Sequence, residues 1–352
     1  MAVWLAYARG SQSSRTLTLT LRTPANPIDI QPSRRSTMHA AATDAPSDAL
    51  RTLLRSLGQI VLQANAFTGA CLLAAWLLAN PRLACAALMG AVAANVSALL
   101  AGYRDDDTRA GLHGFNGALA GLAAFSFIAD APTAVAVAIL GATATAWLAG
   151  PWSNWLRARG LSGLSSPCLI VTWLWLPMVT SGAQPTGVAP LLASGAAQWS
   201  SGVFAAFAQT VFASDALPGC LVLIGIAAAS RRHALGALVG ATLASAANLL
   251  LGATSNSFDA GLSGFNGALT ALALVDSGLA WMLGGVAVSV ALQAAATRFG
   301  WPAMTAPFVL ATWCMQWLRQ RVIRGALAAG HAGPAQLPAD RSPLPPHASR
   351  TN

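Results

Sequence analysis

Two nearly identical stretches decide how this chain is organised: GLHGFNGALAGLA from Gly111 to Ala123, and GLSGFNGALTALA from Gly261 to Ala273. Gly114 and Gly264, which open the shared Phe-Asn-Gly segment, are 150 residues apart. A motif of this length that recurs unchanged at its centre indicates an internal duplication.

Two further landmarks recur in the same order. Gln59 and Gln209 are also 150 residues apart, and each precedes its Phe-Asn-Gly motif by the same distance. After the motif comes Ser/Thr-x-Pro, beginning at Ser165 in the first copy and at Thr305 in the second. The chain is therefore predicted to contain two homologous halves. We expect residues 47–180 as the first membrane repeat, 181–196 as a linker, and 197–322 as the second membrane repeat.

The composition predicts a membrane protein. Hydrophobic residues make up 55% of the 352 residues and charged residues only 9%, with a mean hydropathy of +0.56. Soluble domains have about 25% charged residues. Charged side chains are costly at the centre of a bilayer, so they mark the loops between spans. Several apolar stretches fall short of the roughly 20 residues that a straight crossing needs, which favours short or re-entrant helices beside the glycines.

The two ends differ from the apolar region. Residues 1–46 are rich in Arg, Ser and Thr and are predicted to be a disordered basic tail, with Met38 as an alternative start. Residues 323–352 are likewise predicted to be disordered. Arg residues at both borders of the apolar region favour cytoplasmic termini in the cell (inner) membrane, and thus an even number of crossings. Much of the net charge of +9 lies at these edges, so no nucleic-acid partner is predicted.

Metal, cofactor and catalytic chemistry are not expected. The five Cys residues are scattered through apolar segments without a C-x-x-C pair, which predicts neither a disulfide nor a metal site. Asp215 and Asp259 stand isolated near the repeated motifs, and no nucleophile–base arrangement is recognisable. The alternatives to a transporter are a membrane hydrolase or transferase, and a sensor or scaffold with a degenerate pore.

The repeated residues have the chemistry of a neutral passage. Phe115 and Phe265 offer flat apolar faces, whereas the glutamines and the hydroxyls of Ser165 and Thr305 offer uncharged donors and acceptors. This combination favours a small, flat, uncharged solute. The shortage of carboxylates within the spans argues against coupling to protons or sodium, and so favours passive flow. We expect Phe115 and Phe265 to face one shared central passage.

The order Gln, G-x-N-G, Ser/Thr-x-Pro, present twice between Leu53 and Trp317, resembles the urea transporter family. The resemblance implies an all-α polytopic membrane protein with two inverted halves. Each half would have about five transmembrane helices plus a tilted short or re-entrant helix around a central pore. It also implies a homotrimer in the lipid bilayer that conducts urea in single file, between aromatic clamps and along ladders of oxygen atoms.

Carried over by position, the resemblance assigns the residues of the pore. The expected substrate-binding residues are Gln59, Ile60, Leu62, Phe115, Leu119, Ser165, Gln209, Thr210, Phe212, Phe265, Leu269 and Thr305. The expected structural residues of the pore motifs are Gly114, Asn116, Gly117, Gly264, Asn266 and Gly267.

One position departs from the family's pattern. Phe212 matches the second clamp aromatic in the second half, but Leu62 occupies the corresponding place in the first. An aliphatic wall there leaves open a channel for another small neutral solute: a short-chain amide, ammonia or water.

Overall fold

The computed structural model describes residues 48–179 and 196–331, which contain helices, turns and no strand. The predictions for residues 1–46, for 332–352 and for nearly all of the linker 181–196 fall outside these ranges.

Seven helices form each half. The helices of the first half are α1 (Asp48–Val61, ending in a 3-10 turn), α2 (Ala66–Ala79), α3 (Pro81–Leu100), α4 (Asp105–Arg109), α5 (Gly114–Phe127), α6 (Ala131–Arg157) and α7 (Ser166–Val179). Those of the second half are α8 (Ala196–Gln209), α9 (Ala216–Ala229), α10 (Arg231–Leu250), α11 (Ser255–Asp259), α12 (Phe265–Leu274, followed by a 3-10 turn), α13 (Leu279–Arg298) and α14 (Ala306–His331).

The elements repeat in order and largely in length. The counterparts α2 and α9 have 14 residues each, α3 and α10 have 20, and α4 and α11 have 5. The other counterparts differ: α5 has 14 residues and α12 has 10, and α6 has 27 and α13 has 20. Helix α14 is longer than α7 because it continues to His331, into the stretch expected to be disordered from residue 323. Ala and Leu have high helix propensity, and the sequence ALAA at 326–329 extends the helix.

Four helices are each long and apolar enough to cross a bilayer: α3, α6, α10 and α13. The pair α1 and α2 passes the same test together, bent by 76° at the break between them, while α5, α7 and α9 are shorter apolar helices. The four long helices are two counterpart pairs, one helix of each pair per half. As expected, charged residues lie at their ends: Arg82, Arg157, Arg231 and Arg298.

The two motif helices lie at the centre of the packing. Every residue from Gly114 to Ala124 of α5 is buried, as is every residue from Phe265 to Leu272 of α12. A helix that is apolar on all sides is stable where protein surrounds it. Because other helices surround α5 and α12, neither has to cross the bilayer by itself, and each can be shorter than a transmembrane helix.

Glycine pairs bring α5 against α3, and α12 against α10. A Cβ on Gly90 would lie 2.1 Å from the carbonyl oxygen of Gly117, and a Cβ on Gly117 would lie 2.4 Å from that of Gly90. The counterpart pair Gly240 and Gly267 shows the corresponding distances of 2.5 and 2.6 Å. Backbones this close leave no room for any side chain, so the glycine pair that recurs in both halves sets both helix crossings.

The two halves meet through reciprocal contacts. Nε1 of Trp173 on α7 donates to the carbonyl of Pro302 at 2.9 Å, and Nε1 of Trp313 on α14 donates to the carbonyl of Ser162 at 2.7 Å. Trp173 and Trp313 occupy corresponding positions in the two halves, and so do the acceptors Ser162 and Pro302. Helix α2 also packs against its own counterpart, α9. Reciprocity of this kind is what a two-fold relation between two similar units produces.

We predict that Gly90→Ala and Gly240→Ala destabilise the protein, because each new methyl group must push two backbones apart. Overpacking typically costs about 1–3 kcal/mol, and these clashes involve backbone atoms that cannot rotate away. The measurement is the melting temperature and the yield of monodisperse protein in detergent. Gly325→Ala on α14 is the control, because no atom lies within 4 Å of its added Cβ. Equal melting temperatures for all three variants would contradict the close crossings.

Candidate functional site

A narrow cavity lies between the two halves, with a volume of about 10 Å³. Its walls come from α1, α5 and the start of α7 in the first half, and from the corresponding segments of the second half. The lining residues are Ile60, Leu62, Phe115, Leu119, Ser165, Thr210, Leu269, Thr305 and Phe308. All nine are uncharged, and eight of them are among the twelve expected substrate-binding residues.

The ends of α1 and α8 contribute the first group of walls. A residue in the left-handed conformation follows each helix: Leu62 with φ 59° directly after α1, and Phe212 with φ 60° three residues after α8. A non-glycine residue pays about 1–2 kcal/mol for this conformation, so the surrounding packing must hold it. The break turns the chain after Ile60 and Thr210, and both of these residues are buried in the wall of the cavity.

The motif helices contribute the second group. Phe115 and Leu119 lie four residues apart on α5 and therefore share one face of that helix. On α12, Leu269 lines the cavity, whereas Phe265 is buried in the same hydrophobic cluster but is not among the lining residues. Gly111 and Gly261 precede these helices with φ values of 82° and 74°, which turn the chain into each motif.

Asn116 and Asn266 hold the third part of the cavity wall in position, namely the turns that lead into α7 and α14. Nδ2 of Asn116 donates to the carbonyl of Leu164 at 3.3 Å, and its Oδ1 accepts from the N–H of Cys168 at 3.2 Å. Asn266 makes the same two bonds with Met304 and Phe308, at 3.1 and 3.3 Å. The acceptors belong to residues with positive φ, 49° at Leu164 and 46° at Met304. Each amide thus fixes the turn that leads into α7 or α14.

This amide contact frees a hydroxyl at the start of each helix. Ser165 and Thr305 stand at the N-cap positions, where a hydroxyl normally accepts from the N–H of the second or third helical residue. The second residue is Pro167 or Pro307, which has no N–H, and the N–H of the third is bonded to the asparagine. Neither N–H is therefore left for the hydroxyl, which is available to the cavity.

The hydroxyls of Ser165 and Thr305 contact each other in the wall of the cavity. Oγ of Ser165 and Oγ1 of Thr305 are 3.0 Å apart, both are buried, and each comes from a different half. Either atom can be the donor, and the pair retains one further O–H and unused lone pairs. The cavity therefore offers a neutral polar centre between apolar walls.

Four expected residues are not part of this lining: Gln59, Gln209, Phe212 and Phe265. Gln59 is buried and Gln209 is half-buried, each at the last turn of its helix, next to a residue that does line the cavity. The ring of Phe212 makes an edge-to-face contact with Phe127, with centroids 6.5 Å apart. Phe212 is thus engaged with the end of α5.

The sequence analysis missed Phe308. It follows Thr305 by three residues and so lies on the same face of α14. The comparison of the two halves concealed it, because its counterpart is Cys168. The helical spacing from Thr305 was the available signal.

Within residues 48–179 and 196–331, no group of three or more His, Cys or Asp side chains could hold a metal ion. The polar atoms that line the cavity belong to hydroxyl groups and to the backbone, with no side-chain base among the lining residues.

We predict that Asn116→Leu and Asn266→Leu each lower the melting temperature by at least about 5 °C. Leu has a similar size but leaves a carbonyl and an N–H without their partner, and an unsatisfied buried group costs about 1–3 kcal/mol. Thermal unfolding in detergent measures the effect. Asn256→Leu, at an exposed position on α11, serves as the control. A melting temperature unchanged from the wild type would show that the amides do not hold these turns.

Comparison with known proteins agrees with this architecture. A search of curated proteins found no match. The model of the family described as urea transporter matches residues 50–320, which include all the helices of both halves except the outer ends of α1 and α14. Members of this family carry urea across membranes and are not enzymes. With the family match over most of its length and with apolar helices long enough to cross a bilayer, this chain is a membrane-embedded member of the urea transporter family.

Proposed function

We propose that the protein is a passive, channel-type pathway for urea, which passes in single file through the cavity between the two halves. The observation that carries the proposal is the pair of freed hydroxyls, Ser165 and Thr305, at the centre of an uncharged wall. Urea is small, flat and neutral, and it presents both N–H donors and a carbonyl acceptor. A hydroxyl pair can replace part of the hydration that urea loses on entry.

The remaining pore residues take roles that follow from their places. Phe115 and Leu119 bound the cavity on the first-half side, and Leu269 bounds it from the second half. Gln59 and Gln209 act as polar groups on either side of the centre, at the ends of α1 and α8. Their carbonyl oxygens accept from the N–H groups of Leu62 and Phe212, and each keeps a second lone pair that can accept from urea. These oxygens form the ladders along which the amide groups of urea move. Phe212 and Phe265 complete the aromatic clamp in the second half.

The reciprocal tryptophan bonds support an inverted arrangement of the two halves. If the approximate two-fold axis lies in the plane of the membrane, the second half enters the bilayer from the opposite side. Each half then has an odd number of crossings, and both termini are cytoplasmic in the inner membrane. We further propose that three copies assemble as a homotrimer with one pore per protomer.

The proposal predicts that proteoliposomes take up urea faster than empty liposomes. The rate should not depend on sodium, pH or membrane potential, because no charged group lines the cavity. Stopped-flow light scattering in a urea gradient measures the uptake. The increase in permeability over empty liposomes should be larger for urea than for acetamide, ammonia or water. A preference for one of these other solutes would favour the second candidate, a channel for another small neutral molecule, which the aliphatic wall of Leu62 supports.

A second prediction concerns the central hydroxyl. Thr305→Val keeps the shape of the side chain and removes its hydroxyl. Urea that passes this point then lacks a hydrogen-bond partner, and its own polar groups stay unsatisfied. The corresponding cost of about 1–3 kcal/mol predicts roughly a tenfold loss of urea flux. Thr312→Val is the matched control on the same helix, because its buried hydroxyl has no hydrogen-bond partner and does not line the cavity. Equal flux through the two variants would remove the central hydroxyl from the mechanism.

A further inference from the structure

The cavity is not symmetric, although the repeat that builds it is. Three counterpart pairs line it from both sides: Ile60 with Thr210, Leu119 with Leu269, and Ser165 with Thr305. The other three lining residues, Leu62, Phe115 and Phe308, have counterparts that do not line it. The space therefore extends from the centre towards the first half.

The aromatic walls of this space come from different halves. Phe115 and Phe308 are the two aromatic residues that line the cavity. Within the first half, the place that a second ring would take is occupied by Leu62, whereas its counterpart Phe212 contacts Phe127 instead. Phe308, from the second half, thus supplies the flat surface that Leu62 lacks.

The position of Phe308 is tightly fixed. Its side chain is 2% exposed and belongs to the hydrophobic core, and its N–H donates to Oδ1 of Asn266 at 3.3 Å. It lies one turn from Thr305, so the same amide that frees the central hydroxyl also fixes the backbone from which this ring projects, while the core packs around the ring. A side chain held in this way cannot move aside at small cost to admit a wider solute.

Cys168, the counterpart, has a different role. It is buried, its Sγ lies 3.8 Å from Oγ1 of Thr172 on the same helix, and it does not line the cavity. A large residue therefore stands beside the passage in one half, and a small residue stands away from it in the other.

We infer that Phe308 determines the size selectivity of the pathway: its ring, together with that of Phe115, limits passage to flat, unsubstituted amides of the size of urea. The assignment rests on the urea channel proposed above and adds the residue that excludes larger amides. Leu62 then contributes an apolar surface without a selective shape.

The test measures the permeability of proteoliposomes to urea and to methylurea, by stopped-flow, for the wild type and for variants of residue 308. Phe308→Cys introduces the residue of the first half and should raise the methylurea-to-urea ratio roughly tenfold, the discrimination that one extra methyl group typically meets in an apolar site. Phe308→Leu is the milder variant and should raise the ratio by a smaller factor. Melting temperatures establish that each variant is folded.

Leu310→Ala provides the control, because this residue lies two positions further along α14 and is 45% exposed on the outer surface. Its ratio should equal that of the wild type. A folded Phe308→Leu or Phe308→Cys variant that conducts urea with an unchanged ratio overturns the role of Phe308 and leaves the urea channel standing. A wild type that conducts no urea overturns the channel itself, and with it this assignment.

Discussion

The structure depends on one constraint: backbone groups at the start of a helix need partners when no water can reach them. Asn116 and Asn266 meet this need for α7 and α14, since each amide binds a carbonyl before the helix and an N–H in its first turn. The proline in Ser/Thr-x-Pro removes the competing N–H. The two motifs therefore act together. The asparagine binds one N–H of the first turn, the proline lacks the other, and the hydroxyl at the start of the helix does not cap it.

The duplication repeats this arrangement in both halves and brings the two uncapped hydroxyls together. Neither half could form the central polar group alone, because the hydroxyls of Ser165 and Thr305 come from opposite sides. The glycine crossings at Gly90 with Gly117 and Gly240 with Gly267 bring the motif helices close enough to their neighbours for this meeting. The reciprocal tryptophan bonds then tie α7 to the segment that precedes α14, and α14 to the segment that precedes α7.

Much of this arrangement was predictable from the sequence, because the repeat gave each residue an internal reference. The membrane class followed from the composition, the family from the motifs and their order, and eight of the nine cavity-lining residues from the resemblance to that family. Phe308 did not, since the comparison of halves finds only what both halves share, and here they differ. The contact of Phe212 with Phe127 was not predicted either, because the two residues belong to segments that do not correspond in the repeat. The C-terminal segment was expected to be disordered from residue 323 because it is rich in Pro, Ala and Gly, whereas α14 continues to His331. The number of crossings per half and the orientation in the membrane stay predictions.

The unequal walls at residues 62 and 212 have a consequence for transport kinetics. Detailed balance prevents any passive route from favouring net movement in one direction at equal concentrations. It does not require the two mouths to hold solute equally well. Leu62 presents an aliphatic side chain to the cavity, whereas its counterpart Phe212 is held against Phe127 and does not line the cavity. For the proposed channel, this inequality allows half-saturation at different solute concentrations on the two faces of the membrane.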